Sequence, residues 1–179
     1  NTGWLMAIEL LSVGVDFSFA PVLDIGGEIS EVIGDRAFHI EPDKISKLAN
    51  SYMLGMRKAG MSAVGKHFPG HGSVIEDSHI SIPLDNRQFD DILLQDIIPF
   101  KALIEAGIPG LMPAHITFPE IDDRPAGFSS IWLNEILRKQ LKFKGTIFSD
   151  DLSMKGAETV GDYIERTALA LEAGCDMVL

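Results

Sequence analysis

Residues 145–151 read GTIFSDD. A short β-branched and aromatic run bounded by Gly145 has the length and composition of a buried strand, not a helix. In an extended chain Ile147 and Ser149 face one side, and Phe148 and Asp150 face the other. Asp150 is then the last side chain of the strand, and Asp151 opens the loop beyond it.

The same grammar repeats on either side. VDFSFAPVLDI (15–25), MSAVGKHF (61–68), IPGLMPAHI (108–116) and the closing CDMVL (175–179) are further apolar runs. Between them lie segments of helical period. EPDKISKLANSYMLGMRKAG carries Ile45, Leu48, Ala49, Tyr52, Met53 and Met56 on one face, with Pro42 in its first turn and Gly60 as its stop. One helix is expected around Ile92, Leu93, Ile97, Phe100 and Ile104, ending at Gly107. A second is led by Ser129 through Trp132, Leu133, Ile136 and Leu137, and a third is YIERTALALEAG.

Strict alternation of strand and helix implies right-handed βαβ units and a parallel sheet covered on both faces. No Gly-rich phosphate fingerprint follows the first strand, which counts against a dinucleotide-binding fold. The polar residues choose among the remaining architectures. Asp24, Lys66 with His67, His115, and Asp150 with Asp151 all fall at C-terminal strand ends. That is where a (β/α)8 barrel of the TIM type builds its active site. A whole barrel needs about 250 residues, so the 179 residues read as a central fragment of about five βα units. The chain enters an amphipathic pattern without an initiator Met and stops inside an apolar run. It is therefore expected to be a single catalytic-domain fragment, residues 1–179, truncated at both ends.

Fifteen basic residues against 26 acidic ones give a net charge of −11. Without a Lys/Arg stripe, the counterion release that drives nucleic-acid binding is missing. No run of 18 apolar residues is present to span a membrane. The single Cys175 excludes an internal disulfide and reads as a small buried hydrophobe, consistent with a reducing compartment.

The chemistry concentrates in GKHFPGHGSVIEDSH, residues 65–79. A metal site would draw on His67, His71, His79 and His115, yet neither an HxH strand nor HExxH occurs. The alternative is acid–base work by Asp77 and His79. The carboxylate would fix one imidazole nitrogen and leave the other to carry the proton. As a bare pattern, DxH is also what a solvated loop histidine looks like. Asp150 or Asp151 could cap the LSMKGA segment, and the functional alternative is a nucleophile or a metal ligand.

GKHFPGHGSVIEDSH and GTIFSDDLSMKGA together closely resemble the β-N-acetylglucosaminidases of glycoside hydrolase family 3. SFAPVLDI, GDRAF, MPAH and AGCDMVL add supporting matches, so the resemblance spans essentially the whole chain. It implies a bacterial β-N-acetylhexosaminidase of peptidoglycan recycling. Such an enzyme removes non-reducing terminal N-acetylglucosamine from muropeptide-type substrates in the cytoplasm, as a monomer, without metal or organic cofactor. It further implies that Asp150 is the nucleophile of a retaining double displacement, and that His79 is the general acid and then the general base. Asp77 would orient His79, and Arg36, Lys66 and His67 would hold the sugar. Gly70 and Gly72 are expected to let the loop swing, His71 to shape it, and His115 to line the pocket. Asp24 matches a family position without an assigned role. The family's N-terminal portion supplies a further Asp and Arg to the sugar, and both lie outside this sequence. The fragment alone need not be active. Other β-hexosidase specificity, or a non-catalytic sugar-binding fragment, is the competing reading.

Overall fold

The computed structural model describes residues 1–27, 30, 32–74 and 83–179. Its main sheet runs β1 (Phe17–Ser18), β2 (Ser62–Phe68), β3 (Gly110–Pro113) and β6 (Thr146–Ile147), in that spatial order and all parallel. Phe148 pairs with Met177 in the same sense, so the closing CDMVL run extends the arc as a fifth member. Each strand lies beside the one that precedes it in sequence. A doubly wound sheet reverses its order at a switch point, whereas a barrel does not, and these strands do not.

Helices cover one face. Helix α1 (Thr2–Ser12) lies on α2 (Pro42–Ala59), which buries Ile45, Ala49, Met53 and Met56. Helix α2 ends at Gly60, whose φ of 95° is a left-handed stop. Leu48, expected in the core, is 46% exposed because it sits on the flank of that face. Its neighbour Tyr52 instead meets Phe38. The helix over Ile131–Gln140, in π geometry, starts where Ser129 Oγ accepts the N–H of Trp132. Helix α5 (Tyr163–Ala173) opens with a reciprocal cap between Asp162 and Glu165.

Two expectations change. The single helix through Ile92 and Ile104 is two, α3 (Phe89–Leu94) and α4 (Ile97–Glu105). Pro99 has no N–H to continue the ladder across the break. Asp96, at the junction, is drawn into the interior by Arg87. The third strand is also shorter than read. After Pro113 the chain turns into an antiparallel pair, β4 (Thr117–Phe118) and β5 (Asp122–Pro125).

Side chains alternate between two layers. Val64, Met112 and Phe148 form an inner cluster with Phe19. Phe68, Leu111 and Ile147 face the helical layer with Phe100, Leu103 and Trp132. The rings of Phe68 and Phe100 meet at 5.4 Å, and those of Phe68 and Trp132 at 5.9 Å. Among the described residues no helix is long and apolar enough to cross a membrane.

Candidate active site

Lys66 has the same strand parity as Val64, and Asp150 the same parity as Phe148, so both extend the inner layer upward at the C-terminal strand ends. Electrostatics agrees. Burial pulls the Lys66 amine below the usual lysine range, the Asp150 carboxylate acts against this, and the charge of Arg36 acts with it. The charge of Asp150 also reaches His71 and His115. Arg36 ends a short 3-10 turn (Gly34–Arg36). Its guanidinium donates to the Val32 carbonyl from Nε at 3.0 Å and from Nη2 at 2.7 Å. Asp150, Lys66 and Arg36 thus gather at one mouth.

The register of β2 against β3 slips between Lys66 and Phe68, leaving His67 as an extra residue. Without that bulge, Phe68 would follow Lys66 to the inner face. With it, Phe68 turns into the helical core and His67 stays at the rim, 7% exposed. The His67 ring points to Asp24. Nδ1 lies 2.7 Å from Asp24 Oδ2, and the His67 N–H donates to both carboxylate oxygens at 3.2 Å. Asp24 Oδ1 also accepts the His71 N–H at 2.7 Å.

In the sequence this carboxylate is marked by its place at a strand end and by its match to a family position, but neither gives it a role, because its partners lie 43 and 47 positions along the chain.

Beyond His67 the chain packs tightly. A Cβ at Gly72 would sit 1.8 Å from the Ile25 carbonyl oxygen, and one at Gly70 would sit 2.7 Å from Asp96 Oδ1. These glycines permit close approach, and the part of the loop they occupy is buried. The expectation that they let the loop swing is not met there. His71 is buried, in keeping with a shaping role. Asp77 and His79 lie outside the described residues.

The paired aspartates divide their tasks. Asp151 Oδ1 accepts the Ser153 N–H at 2.7 Å and its carbonyl accepts from Met154, so Asp151 makes the turn. Asp150 has the inward parity of Phe148, and its Oδ1 accepts the Asp151 N–H at 2.9 Å. His115 supports them from behind, with Nε2–H directed at the Asp151 carbonyl at 3.1 Å and its ring stacked on Phe128 at 5.0 Å. Nδ1 of His115 is buried without a hydrogen-bond partner among the described residues, and burial pushes the ring below the ordinary histidine range.

Among the described residues no group of three or more His, Cys, Asp or Glu side chains is placed to hold a metal ion. A hollow of about 280 Å³ bordered by Asp16, Phe17, Ser62, Gly110 and Thr146 opens at the opposite, N-terminal strand ends, remote from Asp150.

A family model for the glycosyl hydrolase family 3 N-terminal domain matches residues 1–179. The beta-hexosaminidase of Thioalkalivibrio sulfidiphilus is 60% identical over 177 residues, covering 99% of this chain and 51% of the relative. That of Thiobacillus denitrificans is 56% identical over 179 residues, covering 100% of this chain and 50% of the relative. The chain therefore spans about half the length of the curated relatives it matches. The crystal structure of NagZ from Neisseria gonorrhoeae in complex with N-trifluoroacetyl-D-glucosamine agrees with a TM-score of 0.91 at 46% identity, over 99% of this chain and 50% of that one.

Proposed function

Since the chain belongs to the glycosyl hydrolase family 3 N-terminal domain family, we propose that it is the central part of a retaining β-N-acetylhexosaminidase whose nucleophile is Asp150. The observation that carries this reading is the convergence of Asp150 and Lys66 on one inner face beside Arg36. A carboxylate there meets the anomeric carbon of a sugar whose hydroxyls Lys66, Arg36 and His67 can bind.

In the first half-reaction the Asp150 carboxylate attacks the anomeric carbon. The glycosidic C–O bond breaks, and the leaving oxygen takes a proton from His79, oriented by Asp77. In the second, water attacks the glycosyl-enzyme, gives its proton to His79 and releases Asp150 as the carboxylate. The roles of His79 and Asp77 rest on the resemblance of the DSH motif. The substrate class follows from two kinds of relative, those named beta-hexosaminidase and a NagZ solved with an N-acylglucosamine. A muropeptide with a terminal N-acetylglucosamine, hydrolysed in the cytoplasm by a monomer during peptidoglycan recycling, is the finer form of the proposal.

The test is to incubate the full-length protein with a chromogenic β-N-acetylglucosaminide and with the matching β-glucoside. Release from the first and little from the second is expected. Equal hydrolysis of both, or of neither, would overturn the assignment.

A further inference from the structure

Asp24 lies two residues past Val22, which bridges to Lys66, and the Leu23 N–H donates to the Lys66 carbonyl at 2.6 Å. The backbone of the first strand therefore escorts β2 to its end and delivers the Asp24 side chain to His67. That side chain is wholly buried, and an ion without partners there would be costly. It has three N–H donors, the backbone of His67 and His71 and the His67 ring. Burial works to raise its carboxyl, but the pull of His67 and His71 prevails and holds it below the ordinary carboxylate range.

An ionised carboxylate only accepts hydrogen bonds. The proton of a neutral His67 ring therefore sits on Nδ1, and Nε2 is left as an acceptor. Protonation of Nε2 turns it into a donor without moving the ring. Nε2 has no partner among the described residues and is not sealed in the interior. The ring stands at the rim beside Lys66, so this nitrogen is the atom it offers to the mouth.

We propose that Asp24 is a positioning residue that acts through His67, fixing the tautomer and direction of the ring and so the nitrogen presented to a sugar hydroxyl, while its other oxygen fixes the first turn of the histidine loop through His71. The role rests on the glycosidase reading of the pocket. A carboxylate needed only to close the loop would be satisfied by the two backbone donors. The third bond goes to the ring of His67 at the rim beside Lys66, which closing the loop does not require, and that bond makes Asp24 more than a structural anchor. The fit of Gly72 against Ile25 keeps the loop from sliding away from it.

The experiment uses the full-length protein labelled with 15N at the histidine rings, studied by long-range proton–nitrogen spectra at neutral pH. Wild-type His67 should carry its proton on Nδ1, or on both nitrogens, but never on Nε2 alone. In Asp24→Asn the amide can donate to Nδ1, so a population with Nε2–H should appear. KM for the chromogenic β-N-acetylglucosaminide should rise about tenfold or more in Asp24→Asn and in His67→Ala, the loss expected for one hydrogen bond to a charged or polarised group. The double variant should be no worse than His67→Ala alone, because both changes remove one interaction.

Losses that multiply in the double variant would overturn the proposal. So would a wild-type His67 with a bare Nδ1, a result that needs no variant to fold. The spectra and a direct titration with N-acetylglucosamine do not need turnover. A His67 response to the sugar in a protein that hydrolyses nothing would keep the positioning role and remove the reaction.

Discussion

His115 shows how one ring can set a pH dependence. In the folded chain its Nε2–H is taken up by the Asp151 carbonyl, and its buried Nδ1 has no hydrogen-bond partner among the described residues. Its folded pKa is depressed by burial, so below the unfolded value of 6.5 the unfolded chain binds the extra proton first. Stability therefore rises as the pH climbs toward that value and falls on acidification below it. The urea midpoint of the full-length protein should drop between pH 7 and pH 5.5. His115→Gln can still donate to Asp151 but cannot titrate, so it should flatten that slope. Buried His71, shifted in the same direction, keeps part of the slope. An unaltered slope in His115→Gln would show that another group sets it. The sequence marks His115 only as polar and at a strand end. Its partner lies 36 positions away, so neither its orientation nor the division of labour between Asp150 and Asp151 could be read there.

At the level of elements, a bulge and an ion cluster decide where the chemistry points. Lys66 faces inward by its parity with Val64, and the extra residue that follows it sends Phe68 outward. Alternation alone, as the sequence offers it, would place them on the same side. The cluster is Arg87 with Asp85 and Asp96. The guanidinium donates to Asp85 at 2.7 Å and to Asp96 at 2.8 Å, with the carboxylates 3% and 0% exposed. The two carboxylates hold Arg87 firmly in its charged form, while burial acts on Asp96 in the opposite sense and raises its carboxyl.

Asp96 touches the histidine loop at Ser73, and Asp85 lies on the return strand-like segment whose N–H donates to Thr117. Removing the cation leaves two buried carboxylates facing each other. Arg87→Met should cost about 3 kcal/mol, the low end for breaking a buried pair, because the guanidinium keeps some solvent. Urea unfolding of the full-length protein measures this, and a loss below about 1 kcal/mol would mean that the carboxylates relax to water or protonate freely. Helical periodicity ran straight through this junction because it registers apolar faces, and a pairing between Arg87 and Asp96 leaves no periodic trace.

On the scale of the whole molecule, the order of five parallel strands and the side on which their polar ends gather were legible, because strand parity and strand ends are properties of the local sequence. The β4–β5 pair was not, since it arises after the chain has left the sheet. The arc nevertheless sets a test of the proposed reaction, because it brings Asp150 on one strand toward Lys66 on another. Asp150→Asn changes a charge and hardly a shape. With the proposed anionic nucleophile gone, the covalent route would close, so turnover should fall by several orders of magnitude while N-acetylglucosamine still binds. His79→Ala should divide substrates instead. A nitrophenyl leaving group scarcely needs protonation, so its glycosylation step should be spared relative to a natural disaccharide. A glycosyl-enzyme should then accumulate, since the base for its hydrolysis is missing. Pre-steady-state bursts and intact-mass measurement on the full-length protein report both effects. Near-normal turnover in Asp150→Asn, or an equal loss on both substrates in His79→Ala, would remove the double-displacement mechanism and leave the arc as a sugar-binding surface.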